Sequence, residues 1–138
     1  MVTFIMSQCG QNFICFKDLT NKKNYSKLFT KIQSYIEIGR IGGGEEFGVI
    51  FYNMNLETAT GIMDRIRVDI ENSKIKSKKG QPLNVTISGG VTQYQPGETI
   101  DELKERTDRY MYNAKAQGKN RIVNDSNYDG SLKYIVRN

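Results

Sequence analysis

Three consecutive glycines followed by two glutamates, Gly42-Gly43-Gly44-Glu45-Glu46, sit between two short β-prone runs. Glycine adopts turn conformations that side chains resist, so this break suits a tight hairpin turn. Upstream, Tyr35 to Ile41 alternates well enough to be one strand, and Phe47 to Tyr52 reads as its buried partner. The period then changes. From Leu56 to Glu71 the residues Ala59, Ile62, Met63, Ile66 and Ile70 recur at helical spacing, with Arg65, Arg67 and Asp69 off the stripe.

A second cycle follows. Leu83 to Tyr94 alternates, with Val85, Ile87, Gly89 and Val91 on one face, and Gly89-Gly90 signals a bulge or a close backbone approach. Gln95-Pro96-Gly97 ends that strand. Thr99 and Glu102 form a capping box for a helix over 99–117, which carries Leu103, Tyr110, Met111 and Ala114 inward and meets a closing glycine at Gly118. Arg121-Ile122-Val123 is a last strand, followed by a polar tail that no pattern places. Lys74, Lys76, Lys78 and Lys79, between the two cycles, read as a solvated loop. Strand-strand-helix-strand-helix-strand is an α+β order, with helices packed on a mixed or antiparallel sheet.

Composition narrows the chemistry. A chain of 138 residues is one domain on length, and 38 % apolar content places it above the disordered range. No apolar run approaches the length of a membrane span, and the start MVTFIM has neither a basic region nor a cleavage site, so no signal peptide is read. Cys9 and Cys15 have no metal spacing and read as reduced, buried thiols of a cytoplasmic protein. Histidine is absent, so acid–base and metal chemistry must rest on carboxylates, which suit a hard cation such as magnesium. The net charge of +5 would attract either nucleic acid or a triphosphate, and no nucleic-acid-binding signature accompanies it.

The glycine–glutamate turn has a physical use. Glycines let a phosphate approach the backbone, and adjacent acids can hold a divalent cation above it. Phosphoryl and nucleotidyl transfer need that arrangement, since catalysis there is mostly positioning and charge neutralisation. A plain glycine hairpin with exposed glutamates fits the pentapeptide equally well. Downstream strings decide between them. VTISGGVTQY, then DELKERTDRYMYNAKAQGKNRIV, resemble the closing strand, helix and AK-x-x-G-[RK]-N-R ending of the GGDEF diguanylate cyclase family, and the resemblance runs from about Tyr35 to Val123.

That resemblance implies a palm-like nucleotide cyclase fold. It implies condensation of two GTP molecules into cyclic di-GMP, with Mg2+, between two antiparallel domains of a homodimer. Glu45 matches the metal-binding acid, and Glu46 the second acid near the metal and the attacking hydroxyl. Gly43 and Gly44 match the glycines against the phosphates, while Lys115 and Lys119 match the basic residues that reach the triphosphate. Residues four apart share a helix face, which suits that lysine pair to a polyphosphate, although isolated surface lysines look the same.

The first third departs from the family pattern. Asp-x-Asp-x-Phe-Lys, Asn-Asp and Gly-His are expected there, the first aspartate being the other metal ligand. One register places Phe16-Lys17 on Phe-Lys, which puts Asn12 and Ile14 at the aspartates. Another places Asp18-Leu19-Thr20 and Asn21 on the family's opening, which omits the metal-binding strand. Residues 1–34 therefore read as a divergent or shortened part, 35–123 as the GGDEF-like domain and 124–138 as a tail. A strand near Phe13 to Phe16 is expected beside the hairpin, because a sheet without its centre would expose two apolar edges. The extra glycine of Arg40-Ile41-Gly42-Gly43-Gly44 would move Glu45 by about 3 Å. The family's product-inhibition motif falls on Gln33 to Ile36 without its charged ends, so no feedback site is expected. Two functions follow: a magnesium-dependent diguanylate cyclase, or a catalytically degenerate domain that binds GTP or serves as a scaffold.

Overall fold

Alternating β-branched and aromatic residues give the strands, and two amphipathic stretches give the helices that cover them. In the computed structural model, the described residues are 2–9, 36–41 and 46–134, with side chains described over 46–134. Strands β1 (Val2–Cys9), β2 (Ile36–Ile41) and β3 (Glu46–Phe51) precede helix α1 (Leu56–Glu71). A small hairpin, β4 (Ile75–Lys76) and β5 (Pro82–Leu83), leads to β6 (Thr86–Gln93), helix α2 (Ile100–Ala116) and β7 (Ile122–Val123).

The main sheet has the order β2-β3-β1-β6-β7. β1 is its centre, antiparallel to both β3 and β6, and β7 runs parallel to β6. The expected hairpin is present as β2–β3, closed by the pair Ile41 and Glu46. The segment 13–16, expected as a strand, lies outside the described residues. The central place beside the hairpin is taken by an earlier run, VTFIMSQC, whose leading apolar and β-branched residues favour extended backbone.

Strand periodicity assigns the two faces of the sheet. Val49 and Phe51 of β3 join Ile87 and Val91 of β6 in a core with Ala59, Met63 and Ile70 of α1. Fully burying side chains such as Phe51, Met63 and Ile87 contributes about 1.5–3 kcal/mol each. The intervening residues Ser88, Gly90 and Thr92 face α2 instead. There the Thr92 and Thr107 hydroxyls meet at 2.5 Å, and Thr107 also donates to the Leu103 carbonyl at 2.7 Å. Leu103, Tyr110, Met111 and Ala114 are buried as the spacing predicts, and the Thr99–Glu102 capping box starts the helix.

Two segments differ from their sequence reading. The lysine-rich stretch is a hairpin rather than an open loop: Ile75 pairs with Leu83, both pack against the α1 core, and Gly80 takes the left-handed turn position at φ +78°. Its lysines remain exposed. The polar tail is also placed, since residues 124–134 run back over α2. Buried Asn113 donates to the Asp129 carbonyl at 2.7 Å and accepts from the Asp129 amide at 3.2 Å. The Tyr128 ring lies 4.7 Å from that of Tyr110, and the Tyr110 hydroxyl donates to Asp125. Tyr134 donates to Asp108 at 2.5 Å, meets Tyr112 edge-on and lies under the Arg109 guanidinium.

This docking carries a pH signature. Burial, then the hydrogen bond to Asp125, pushes the Tyr110 hydroxyl up to about 12. A folded value above the unfolded value of about 10 means the contribution is complete below pH 10 and is lost as pH rises towards 12. The melting temperature of the natural chain should therefore fall more steeply across that window than that of Tyr110→Phe. Parallel slopes for the two proteins in pH-dependent melts would refute the coupling.

Candidate functional site

Glu46 opens β3, and its strand register fixes what surrounds it. Its Cα partners are Ile41 on β2 and Ser7 on β1, and Ser7 in turn pairs with Ser88 on β6. The Ser88 hydroxyl accepts a 3.0 Å bond from the Asn120 amide, at the turn between α2 and β7. One level of the sheet thus joins Glu46 to the segment after α2. Two strand spacings separate Glu46 from Ser88, about 10 Å. The C-terminal ends of β1 and α2 and the N-terminal ends of β3, β6 and β7 all meet here.

Glu46 is partly buried. Phe47, Val49 and Phe51 pack towards α1, so Glu46 lies on the opposite face by alternation. Gly43, Gly44 and Glu45 fall in residues 42–45, outside the described residues, and the sequence places Glu45 immediately before Glu46.

Lys115 occupies the last turn of α2 and is partly buried, whereas Lys119 is exposed. The helical spacing expected for this pair does not hold. The helix ends at Ala116, and the chain turns through Gly118 at φ +108° and Lys119 at φ +65°. Glycine at the first of these positions permits the reversal at low cost. The turn is closed by the Lys119 amide donating to the Ala114 carbonyl at 3.0 Å. Lys115 and Lys119 flank the turn whose Asn120 is bonded to Ser88, and neither lysine pairs with a carboxylate among the described residues.

Carboxylates decide what cation such a site fits. The strand beside Glu46 ends in Ser7-Gln8-Cys9, and the first acid in the sequence is Asp18. Among the described residues no three potential metal ligands gather. Magnesium keeps several waters and takes one or two protein carboxylates, so Glu46, with its sequence neighbour Glu45, would be the residue to hold a single hydrated ion. Two closely spaced ions would need further carboxylate oxygens from β1, and its sequence has none.

Sequence reasoning missed Ser88, Asn120 and Arg67 as neighbours of this site. Polar residues at a strand end, in a turn and off a helix stripe produce no periodic signal, and only the tertiary fold brings them together. A surface depression lined by Gln95, Glu98, Glu102, Arg106 and Arg109 lies at the N-terminal end of α2, away from Glu46.

The family model described as "Diguanylate cyclase, GGDEF domain" matches residues 25–121. The chain belongs to the GGDEF diguanylate cyclase domain family. It is 42 % identical over 83 residues to the response regulator PleD of Caulobacter vibrioides, covering 59 % of this chain and 18 % of that protein. It is 37 % identical over 86 residues to Diguanylate cyclase A of Treponema denticola, covering 62 % of this chain and 23 % of that protein. The matched part is thus a quarter or less of the length of these relatives. Among solved structures, the coiled coil and GGDEF domain of DgcB from Caulobacter crescentus, in complex with c-di-GMP, superposes with a TM-score of 0.67 at 21 % identity, over 89 % of this chain and 68 % of that one. The active GGEEF domain of a Vibrio cholerae diguanylate cyclase gives 0.62 at 24 % identity, over 93 % and 83 %. These two likenesses establish the fold: an α+β sheet covered by helices. No helix among the described residues is long and apolar enough to cross a membrane.

Proposed function

We propose that this domain binds GTP with magnesium at the Glu46 end of its sheet and makes cyclic di-GMP weakly or not at all. One observation carries the second half of that reading. The residue paired with Glu46 on the central strand is Ser7, and β1 has no carboxylate anywhere along it. The family resemblance implies an aspartate at the end of the first strand as the other metal ligand, and the strand beside Glu46 offers none.

Nucleotide binding needs less. Gly43 and Gly44 let the phosphates approach the backbone, and Glu45 and Glu46 are the acids that would hold one hydrated magnesium. A bound magnesium offsets the charge of the triphosphate. Lys115 and Lys119 contribute the remaining positive charge from the far side, with no carboxylate neutralising them among the described residues. A competent homodimeric cyclase is the second reading. The relatives named as diguanylate cyclases favour it, being 35–38 % identical over the matched part.

Calorimetric titration with GTP and magnesium tests binding, and product analysis after incubation tests turnover. Changing both Lys115 and Lys119 to Ala should weaken GTP binding by about 1–3 kcal/mol, the range for charge-assisted contacts. Unchanged affinity would remove both lysines from the site.

A further inference from the structure

Lys119 and Asn120 both hold left-handed backbone, at φ +65° and +47°, directly after Gly118 at φ +108°. Two side-chain-bearing residues in that region cost free energy, so something must hold them. The helix end accounts for Lys119, through the bond from its amide to Ala114. Asn120 is fixed from three directions. Its amide donates to the Ser88 hydroxyl at 3.0 Å, its side-chain carbonyl accepts from Arg67 at 3.0 Å, and its side-chain amide donates to Glu71 at 2.7 Å. Arg67 is itself held by Asp64 at 2.7 Å and Glu71 at 3.0 Å.

We infer that Asn120 is a positioning residue for the nucleotide site, clamping the turn so that the Lys119 ammonium is presented at the Glu46 end of the sheet. This rests on the reading of Lys119 as a triphosphate contact. The geometry gives Asn120 a role that no other amide or hydroxyl in the turn can take. It joins β6, whose Ser88 shares a sheet level with Glu46, to the last turns of α1. Lys119 is the neighbouring residue, so its backbone cannot shift without breaking one of these bonds. A long lysine on an unpinned turn must be ordered each time ligand binds, and that ordering weakens binding. Asparagine suits the position doubly, because it tolerates left-handed backbone and offers both a donor and an acceptor.

The test is calorimetric titration of the full chain with GTP and magnesium, using Lys119→Ala, Asn120→Gly and the double variant. Glycine adopts the turn conformation freely, so Asn120→Gly removes the side-chain bonds without straining the backbone. Arg67→Met is a second route, cutting the clamp from α1 and leaving the turn sequence intact. Lys119→Ala should weaken binding by about 10–100-fold, as loss of a charge-assisted contact. Asn120→Gly and Arg67→Met should each weaken it by about 3–10-fold, the cost of ordering one long side chain. The double variant should bind no more weakly than Lys119→Ala alone, since both changes act through one ammonium. A purely structural role would instead give additive losses, and that result overturns the inference. Natural-like affinity in Asn120→Gly and Arg67→Met beside a weakened Lys119→Ala would also overturn it, leaving the lysine contact standing. Natural-like affinity in Lys119→Ala would remove the contact itself, and the inference with it.

Discussion

Replacing Gly90 by alanine is expected to cost about 3 kcal/mol or more and to lower the melting temperature by about 10 °C or more. A Cβ at this position would stand 2.4 Å from the Thr107 carbonyl oxygen, 2.6 Å from the Met111 amide nitrogen and 2.7 Å from the Tyr110 Cβ. None of these atoms can rotate away, because two are backbone and the third is fixed to it. Helix α2 would have to lift from β6. That lift would stretch the buried Thr92–Thr107 contact and loosen the seats of Leu103 and Ala114. The lift would also displace Lys115 and the Lys119–Asn120 turn, since α2 carries the one and leads into the other. Gly61 on α1 is the matched control, with nothing within 4 Å of the added methyl. Its alanine variant should gain up to about 1 kcal/mol from helix propensity. Thermal melts that place Gly90→Ala within a degree or two of the natural chain would show that α2 does not sit against the sheet as described.

The approach at Gly90 was legible in the sequence as far as chemistry allows. Gly89-Gly90 inside an alternating strand implied a bulge or a close backbone approach, and Gly90 proved to be where α2 comes close. The two helices were similarly legible, because apolar spacing and the Thr99–Glu102 capping box are local signals. What stayed hidden depends on distant partners. The tail is mostly polar, yet it docks because Asn113, Tyr110 and Asp108 of α2 bond to it. The central strand was harder still. VTFIMSQC lies well upstream of the hairpin, and the family's acidic pattern, which would have marked it, is absent. Its register against Glu46 comes from pairing with β3 and β6, which sequence alternation cannot set.

That register leads to the largest effect on catalysis. With GTP and magnesium, the chain is expected to form cyclic di-GMP about 100- to 1,000-fold more slowly than the active GGEEF domain of the Vibrio cholerae diguanylate cyclase assayed alongside. That range is the usual consequence of losing one preorganised electrostatic contact. Two magnesium ions lie about 4 Å apart in two-metal chemistry, and their repulsion must be offset by several carboxylate oxygens. Here the acids that the family resemblance assigns to the metal are Glu45 and Glu46, adjacent in sequence, and β1 adds none. Phe47 turns towards the α1 core, which leaves Glu46 on the other face, beside a strand that offers Ser7 where an acid would be needed. One hydrated ion is the most this set holds well. Glu45→Ala should therefore abolish the magnesium dependence of GTP binding while changing an already low turnover little. Robust synthesis by the natural chain, abolished in Glu45→Ala, would overturn the prediction. It would require a second carboxylate from elsewhere in the sequence, and Asp18, the first acid after β1, would be the residue to substitute next.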